Sequence, residues 1–365
     1  MLPVRTQASA PNAVPSDPYP AGRAARDTWI LSRRGDRAPG DPWRPHGYFL
    51  ERERSHSSEI VSVATVLLTN RECPWRCVMC DLWKTTLPET VPPGAIPAQI
   101  DHAFRALASP VSVAPATNNS AAERPASWPP RQVKLYNGGS FFDPRAIPPE
   151  DDEAIAAKVR GCDRVIVECH PAFIGDRCLR FRDLLARQGQ LNHPGRRPQL
   201  EVAVGLETAH PGVLEKLNKG MSLDQFRSAA EFLAKNGVAL RVFVLVQPPF
   251  IDEAEALPWA QRSIELAFDA QAAVVSLIPT RGRNGAMEKL AELGQFRRPR
   301  LATLEAALAF GLHLGRGRVF ADLWDLPLFA DCADCLGRRR ERLQQMNLTQ
   351  SVPAALPCPS CGAAA

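Results

Sequence analysis

Residues 60–80 read IVSVATVLLTNRECPWRCVMC. The stretch opens as a β-branched apolar run, Ile60–Thr69, which is the pattern of a buried strand. It then changes character within a few residues, to three cysteines spaced C-x3-C-x2-C at Cys73, Cys77 and Cys80. Three is the telling number. A closed structural zinc site takes four ligands, and an ordinary ferredoxin-type cluster is also held by four thiolates. Three thiolates on one short loop can hold three irons of a [4Fe–4S] cluster and leave the fourth iron open to another molecule. A strand that ends in such a loop predicts a site that does chemistry.

Working outward, the same rhythm continues. Strands are predicted at Gln132–Tyr136, Arg164–Glu168, Leu200–Leu206, Ala239–Val246 and Ala272–Leu277. Helices are predicted between and beyond them at Ala98–Ala108, Glu150–Val159, Arg177–Arg187, Leu223–Asn236, Glu253–Phe268 and Leu301–Leu314. Six short apolar strands alternating with helices imply a parallel sheet wrapped by helices, an α/β fold. A partial (β/α)6 TIM-like barrel is the expected form, with a doubly wound open sheet as the alternative. No G-x-G-x-x-G follows the first strand, which argues against a dinucleotide fold. HExxH, GxSxG and P-loop motifs are absent from the chain.

Residues 1–55, rich in Pro, Arg, Ala and Gly, are expected to form a weakly ordered extension with a short strand or helix around Asp27–Arg33. Pro110–Pro130 has no hydrophobic period and is expected to be a flexible insertion. The core then spans 56–325, followed by a C-terminal module over 326–365. No stretch approaches the ~18 consecutive apolar residues of a membrane span, and the N-terminus lacks the apolar core of a secretory signal. The clustered cysteines suit metal binding in a reducing cytoplasm better than a disulfide framework. The net charge of +5 permits a nucleic-acid partner without demanding one.

Ligands of such sheets sit beyond the C-terminal ends of the strands. The polar residues at those ends are therefore site candidates: Gly138, Gly139 and Ser140 after the second predicted strand, Glu168 ending the third, Glu207 ending the fourth and Gln247 ending the fifth. Paired glycines let a backbone approach a ligand closely. Taken singly, each carboxylate could equally cap a helix or face solvent.

Taken together, the C-x3-C-x2-C loop, the Gly138-Gly139 turn and Gly205-Leu206-Glu207 resemble the radical S-adenosylmethionine superfamily, over roughly residues 58–325. The run Val213–Gly220 strengthens the likeness to the subgroup of the elongator catalytic subunit and the methylthiotransferases. The resemblance implies that Cys73, Cys77 and Cys80 bind a [4Fe–4S] cluster whose open iron chelates S-adenosylmethionine. One electron, from a donor such as flavodoxin or ferredoxin, would then generate a 5′-deoxyadenosyl radical that abstracts hydrogen from substrate. It further implies that Gly138 and Gly139 meet the methionine amino group, with Glu168 and Glu207 at the ribose or methionine end. Two positions depart from the family pattern. Met79 stands where an aromatic residue usually packs near the adenine, and Ser140 stands where the turn usually carries a carboxylate. Gly139–Pro144, Asn218-Lys219-Gly220 and Gln247–Phe250 also resemble the radical proteins that work with archaeosine synthase. Those proteins cleave a carbon–nitrogen bond of a lysine-bearing deazaguanine in tRNA.

At the other end of the chain, Cys332, Cys335, Cys358 and Cys361 form two C-x2-C knuckles. Four soft ligands predict a closed, structural zinc site in a zinc-ribbon-like appendage; an auxiliary Fe–S cluster or free thiols are the other readings. Arg338, Arg339, Arg340 and Arg342 between the knuckles could contact phosphates of a tRNA or line a solvated helix face. Arg297, Arg298 and Arg300 add a second basic patch. Three functions follow as expectations: a radical enzyme modifying tRNA or another nucleic acid, the same core acting on a small metabolite or peptide, and a non-enzymatic zinc scaffold.

Overall fold

The computed structural model describes residues 17–109, 128–192, 197–355 and 357–362. The insertion expected over Pro110–Pro130 lies, apart from its last three residues, outside them. The elements run α1 (Arg23–Leu31), β1 (Gly47–Arg54), β2 (Ile60–Leu68), α2 (Ala95–Ala108), β3 (Gln132–Asn137), α3 (Asp152–Val159), β4 (Arg164–Glu168) and α4 (Asp176–Asn192). They continue with β5 (Gln199–Glu207), α5 (Pro211–Lys216), α6 (Leu223–Lys235), β6 (Ala239–Val246), α7 (Glu253–Asp269), β7 (Val274–Pro279), α8 (Ala286–Glu292), α9 (Leu301–Leu314), β8 (Arg318–Ala321) and α10 (Ala333–Thr349). The sheet has eight strands in sequential order. From β2 to β8 every pairing is parallel, and β1 joins β2 antiparallel.

All six predicted strands are present, and two more flank them. β1 (GYFLERER) carries charges on what proves to be an inward face, so its sequence shows no apolar alternation. β8 is only four residues long. Their presence alters the expected domain limits. The boundary at 55 falls between β1 and β2, which are paired along their length from Gly47–Leu67 to Arg54–Ile60. The segment 17–55 contains α1, whose Trp29 and Ile30 are buried.

The sheet is curled into a partial barrel, and the side chains prove the curl. Arg241 of β6 is bound to Glu53 of β1 and, at 2.7 Å, to Glu201 of β5. β1 and β6 are far apart in the strand order, so they can meet only across a lumen. Lys134 of β3 joins them, 2.6 Å from Glu53 and 2.9 Å from Glu51, and Arg164 of β4 reaches Glu201 at 3.1 Å. Burial alone would raise the Glu53 carboxyl, but Arg241 and Lys134 overcome it and hold the group below the usual carboxylate range. This charged layer is the floor of the barrel, at the N-terminal ends of the strands. The helices cover the outer face with an apolar core that runs from Ala64 and Val66 of β2 to Leu304 and Leu308 of α9.

The seam between β8 and β1 is covered by α10. Asn347 takes the N–H of Ala321 (2.8 Å) and gives to its carbonyl (2.9 Å); Gln350 does the same for Val319 (2.8 and 2.9 Å). Two side-chain amides thus satisfy an edge strand that would otherwise offer its backbone to another chain. Arg318 of β8 donates to the carbonyl of Arg54 in β1 at 2.9 Å, which ties the two edges together below the seam.

Candidate functional site

The cysteine loop leaves β2 at the C-terminal mouth of the barrel and is held there from several sides. Val78 N–H donates to the carbonyl of Leu217 (3.0 Å). Asn284 donates to the carbonyls of Val78 (2.8 Å) and Cys80 (3.1 Å). Asn218, in a left-handed conformation (φ 61°), donates to the carbonyl of Arg76 (2.9 Å) and to Asp27 of α1 (2.7 Å). Trp75 stacks on His170 with centroids 3.6 Å apart, and His170 Nε2 meets the carbonyl of Lys219 at 3.2 Å. Burial and the nearby Lys219 charge push the His170 imidazole down to about 3, so it stacks as a neutral ring. Gly220, at φ 71°, lies so close under Trp75 that an added Cβ would sit 2.6 Å from the indole. Glu72 anchors the start of the loop through Arg34 (2.6 Å), Arg37 (2.5 Å) and Arg76 (3.2 Å).

The predicted glycine turn meets this loop. A Cβ on Gly139 would lie 3.6 Å from Cys73 Cβ, and one on Gly138 would strike Thr86 at 2.4 Å. Packing therefore excludes a side chain at Gly138, whereas Gly139 has room for a Cβ in ordinary contact with Cys73. Ser140 is buried, and its hydroxyl accepts the N–H of His170 (3.0 Å), tying the β3 and β4 ends together. Met79 packs against the apolar cluster that α1 builds with Val78 and Met287, beside Trp29 and Ile30.

Glu207 closes β5 through a register shift after Gly205 and takes a left-handed conformation (φ 65°). This turns its carboxylate onto the Lys219 ammonium. Gly205 makes the pair possible: a Cβ there would sit 2.2 Å from Glu207 Oε1 and 2.4 Å from Lys219 Nζ. Lys219 also carries its charge toward Cys77 and Cys73. Glu168 shares this space, with no hydrogen-bond partner for its carboxyl among the described residues; burial raises it to about 8, Lys219 lowers it, and Glu207 raises it again. Gln247 is buried at the end of β6 with both amide atoms unpartnered and φ 53°. Two neighbouring strands thus end in strained polar residues, a feature that gathers at functional sites.

Burial pushes the thiols of Cys73, Cys77 and Cys80 up, to about 11, 12 and 12. Left empty they sit as neutral thiols; as thiolates they would need a cation beside them, and three thiolates are a donor set that an iron–sulfur centre would accept. Among the described residues, the ligating side chains that converge within 4.8 Å of one another are the other four cysteines: Cys332, Cys335, Cys358 and Cys361. That spacing suits one ion.

The four-cysteine group fits a metal by its chemistry as well. Cys332 precedes α10 and Cys335 lies in its first turn. The N–H groups of Cys361 and Ser360 hold the Cys358 thiol down to about 7. The expected ribbon differs in one respect, since a helix rather than strands joins the two knuckles. The arginines between them are largely engaged. Arg339 is buried against Glu305 (2.8 and 2.9 Å), and Arg342 donates to the carbonyl of Pro353. Arg338 is exposed. On the second basic patch, Arg297 and Arg300 face Glu253, and Arg298 is exposed.

The loop, the glycine turn, Glu168 and Glu207 were legible from their strand-end places. The clamps Asn218 and Asn284, the Trp75–His170 stack and the contributions of α1 were not assigned. A left-handed turn was signalled by Asn218-Lys219-Gly220, but nothing in the sequence showed what it held. No helix among the described residues is long and apolar enough to cross a membrane.

No family model matches the chain. It is 28% identical over 251 residues to archaeosine synthase subunit beta of Methanosarcina acetivorans, spanning 64% of this chain and 67% of that protein. Among solved structures it is similar to methylornithine synthase, at 13% identity and a TM-score of 0.47 over 82% of this chain and 74% of the other. It is also similar to Elp3 of Methanocaldococcus infernus, at 12% identity and a TM-score of 0.43, over 60% of this chain and 55% of that one.

Proposed function

We propose that the protein is a radical S-adenosylmethionine enzyme that modifies a nucleoside in tRNA. The observation that carries the reading is the placement of Cys73, Cys77 and Cys80 on a clamped loop at the barrel mouth, with Gly139 packed against Cys73. A [4Fe–4S] cluster held there would supply the electron that cleaves S-adenosylmethionine to a hydrogen-abstracting 5′-deoxyadenosyl radical.

The chain's own residues do the rest. Gly138 and Gly139 leave the backbone open toward the amino-acid end of the cosubstrate. Glu207, oriented by Lys219, is the acceptor for its ribose hydroxyls, and Glu168, protonated near neutral pH, offers either a donor or an acceptor beside it. Ser140 supports the turn through His170 instead of reaching the ligand. α1 and the Asn218 and Asn284 clamps fix the loop. The four C-terminal cysteines hold zinc and anchor the start of α10. The name of the Methanosarcina relative favours tRNA as substrate, since archaeosine is a tRNA nucleoside. Exposed Arg298 and Arg338 are then available for backbone phosphates, and an electron donor such as flavodoxin or ferredoxin is required in the cytoplasm.

Anaerobic reconstitution with iron and sulfide, followed by dithionite and S-adenosylmethionine, tests the core of the reading. The expected product is 5′-deoxyadenosine, and Cys77→Ala should abolish it. Turnover that survives Cys77→Ala rejects the assignment. Binding of tRNA should weaken steeply with salt.

A further inference from the structure

We propose that the protein binds one phosphate-class oxyanion beneath the barrel floor, among Arg54 of β1, Arg164 of β4, Arg318 of β8 and His56 of the β1–β2 turn. This place lies at the N-terminal ends of the parallel strands, at the opposite end of the barrel from the cysteine loop. It stands apart from the radical reading and needs neither the cluster nor its cosubstrate.

The cations here outnumber the acids. Glu201 is fully buried, and its Oε1 is taken by Arg241 at 2.7 Å. Its Oε2 is left to two further guanidinium groups, Arg164 at 3.1 Å and Arg318 at 3.9 Å. Arg164 spends one arm on the neutral Gln199 side chain (2.6 Å), and its buried Nε–H has no hydrogen-bond partner among the described residues. Arg318 donates to the carbonyl of Arg54 (2.9 Å), and the Arg54 side chain reaches only a carbonyl, that of Leu348, at 3.4 Å. The other acids of the layer are held from above, Glu53 by Arg241 and Lys134, and Glu51 by Lys134. Asp163, beside Arg164, is taken by Arg131. Among the described residues, the three arginines of the underside thus meet one carboxylate oxygen, and Arg54 does not reach it.

The neighbouring groups register this surplus. Burial first, then Arg241 and Arg164, hold the Arg318 guanidinium below its ordinary value against the pull of Glu201 and Glu53. An arginine stays charged regardless, so Arg318 is a cation short of counter-charge. Burial, then the Arg164 and Arg318 charges, likewise push the His56 imidazole down, more than Asp163 and Glu201 pull it up. A tetrahedral dianion supplies the missing charge, and its oxygens accept from several guanidinium forks at once. Size decides between the sources of such a group. His56 is exposed and opens the place to solvent, but the Arg164 and Arg318 side chains are only 6% and 12% exposed. A free phosphate can reach them, whereas a polynucleotide backbone, flanked by its sugars, is too broad.

Calorimetric titration of the full chain with inorganic phosphate, at an ionic strength held constant with chloride, tests this. One phosphate per chain should bind, and Arg318→Gln should weaken it by about tenfold or more through loss of a charge-assisted hydrogen bond. NMR of the His56 ring, assigned with His56→Gln, gives a readout on the wild-type protein that no folding defect of Arg318→Gln can spoil. Bound phosphate should raise the His56 titration midpoint, because a dianion offsets the Arg164 and Arg318 charges. Absence of binding beyond that of chloride, an affinity indifferent to Arg318→Gln, or a His56 titration that ignores phosphate overturns the proposal. Added tRNA should leave the bound phosphate in place; its displacement would overturn the free anion as occupant in favour of the polynucleotide backbone. Failure of the radical reading, seen as no 5′-deoxyadenosine from S-adenosylmethionine, would leave these results untouched.

Discussion

Glu168 shows how one residue's surroundings set its chemistry. Its carboxyl lies at the end of β4 without a hydrogen bond, and the Lys219 cation that faces it is already spent on Glu207. Burial therefore dominates and the acid is raised to about 8. In the unfolded chain the same group ionises near 4.5. Between those values the native state binds the extra proton, so its contribution to stability falls as pH rises through the window. Replacing Glu168 by Gln removes the titration. The melting temperature of Glu168→Gln relative to wild type is expected to climb from about pH 4.5 to pH 8 and to stay level below that range. A difference that is flat across the window would show an acid ionised throughout, with a cationic partner other than Lys219. Near neutral pH the protonated acid can donate a hydrogen bond, and this suits it to a hydroxyl or carbonyl of a ligand better than to a cation.

At the scale of elements, what was legible in the sequence depended on whether partners are close along the chain. The cysteine loop and the Gly138-Gly139 turn are local patterns at strand ends, and their meaning survives without a fold. The clamps on that loop reach across 142 residues for Asn218 and 206 for Asn284, and no period or spacing announces them. β1 was missed because its inward side chains are charged, whereas the short strand or helix expected around Asp27–Arg33 is α1, a helix that starts four residues earlier. The four-cysteine module was legible as ligands, and a helix between its knuckles was one of the two readings of its arginines. α10 is pinned at three heights: the cysteines at its start, the Arg339–Glu305 pair in its middle, and Asn347 and Gln350 on β8 at its end. Metal loss should therefore loosen only the start. One zinc per chain is expected by elemental analysis. Chelation or Cys358→Ser should speed amide exchange over residues 332–338 while the Asn347–Gln350 end keeps its protection. Protein that carries no metal, or whose exchange ignores the chelator, would leave the four thiols free.

For the whole molecule, the question is what keeps an incompletely closed barrel from opening. β1 and β8 share no ladder among the described strands, so the hydrogen-bonded sheet alone does not fix its curvature. α10 closes the seam from outside, and the floor closes it from inside. Arg241 is central to that floor: it engages Glu53 of β1 and Glu201 of β5, with Ser276 of β7 at 3.5 Å. A buried ion pair contributes little net stability against an apolar replacement, yet breaking one is costly because a charge is left behind. Arg241→Met should therefore destabilise the protein by about 3 kcal/mol, the low end of the ~3–5 kcal/mol expected for an orphaned buried charge. The low end applies because Lys134 still faces Glu53 and Arg164 still faces Glu201. Adding Glu53→Gln to that variant removes one orphaned acid while leaving Lys134 on Glu51 and Arg164 on Glu201, and should restore part of the loss, which no local packing defect would do. Urea unfolding of the single and double variants measures both numbers. If the single variant loses less than about 1 kcal/mol, the range of a solvent-exposed pair, the floor is wet, and the depth of the lumen above it is set by the seam helix alone.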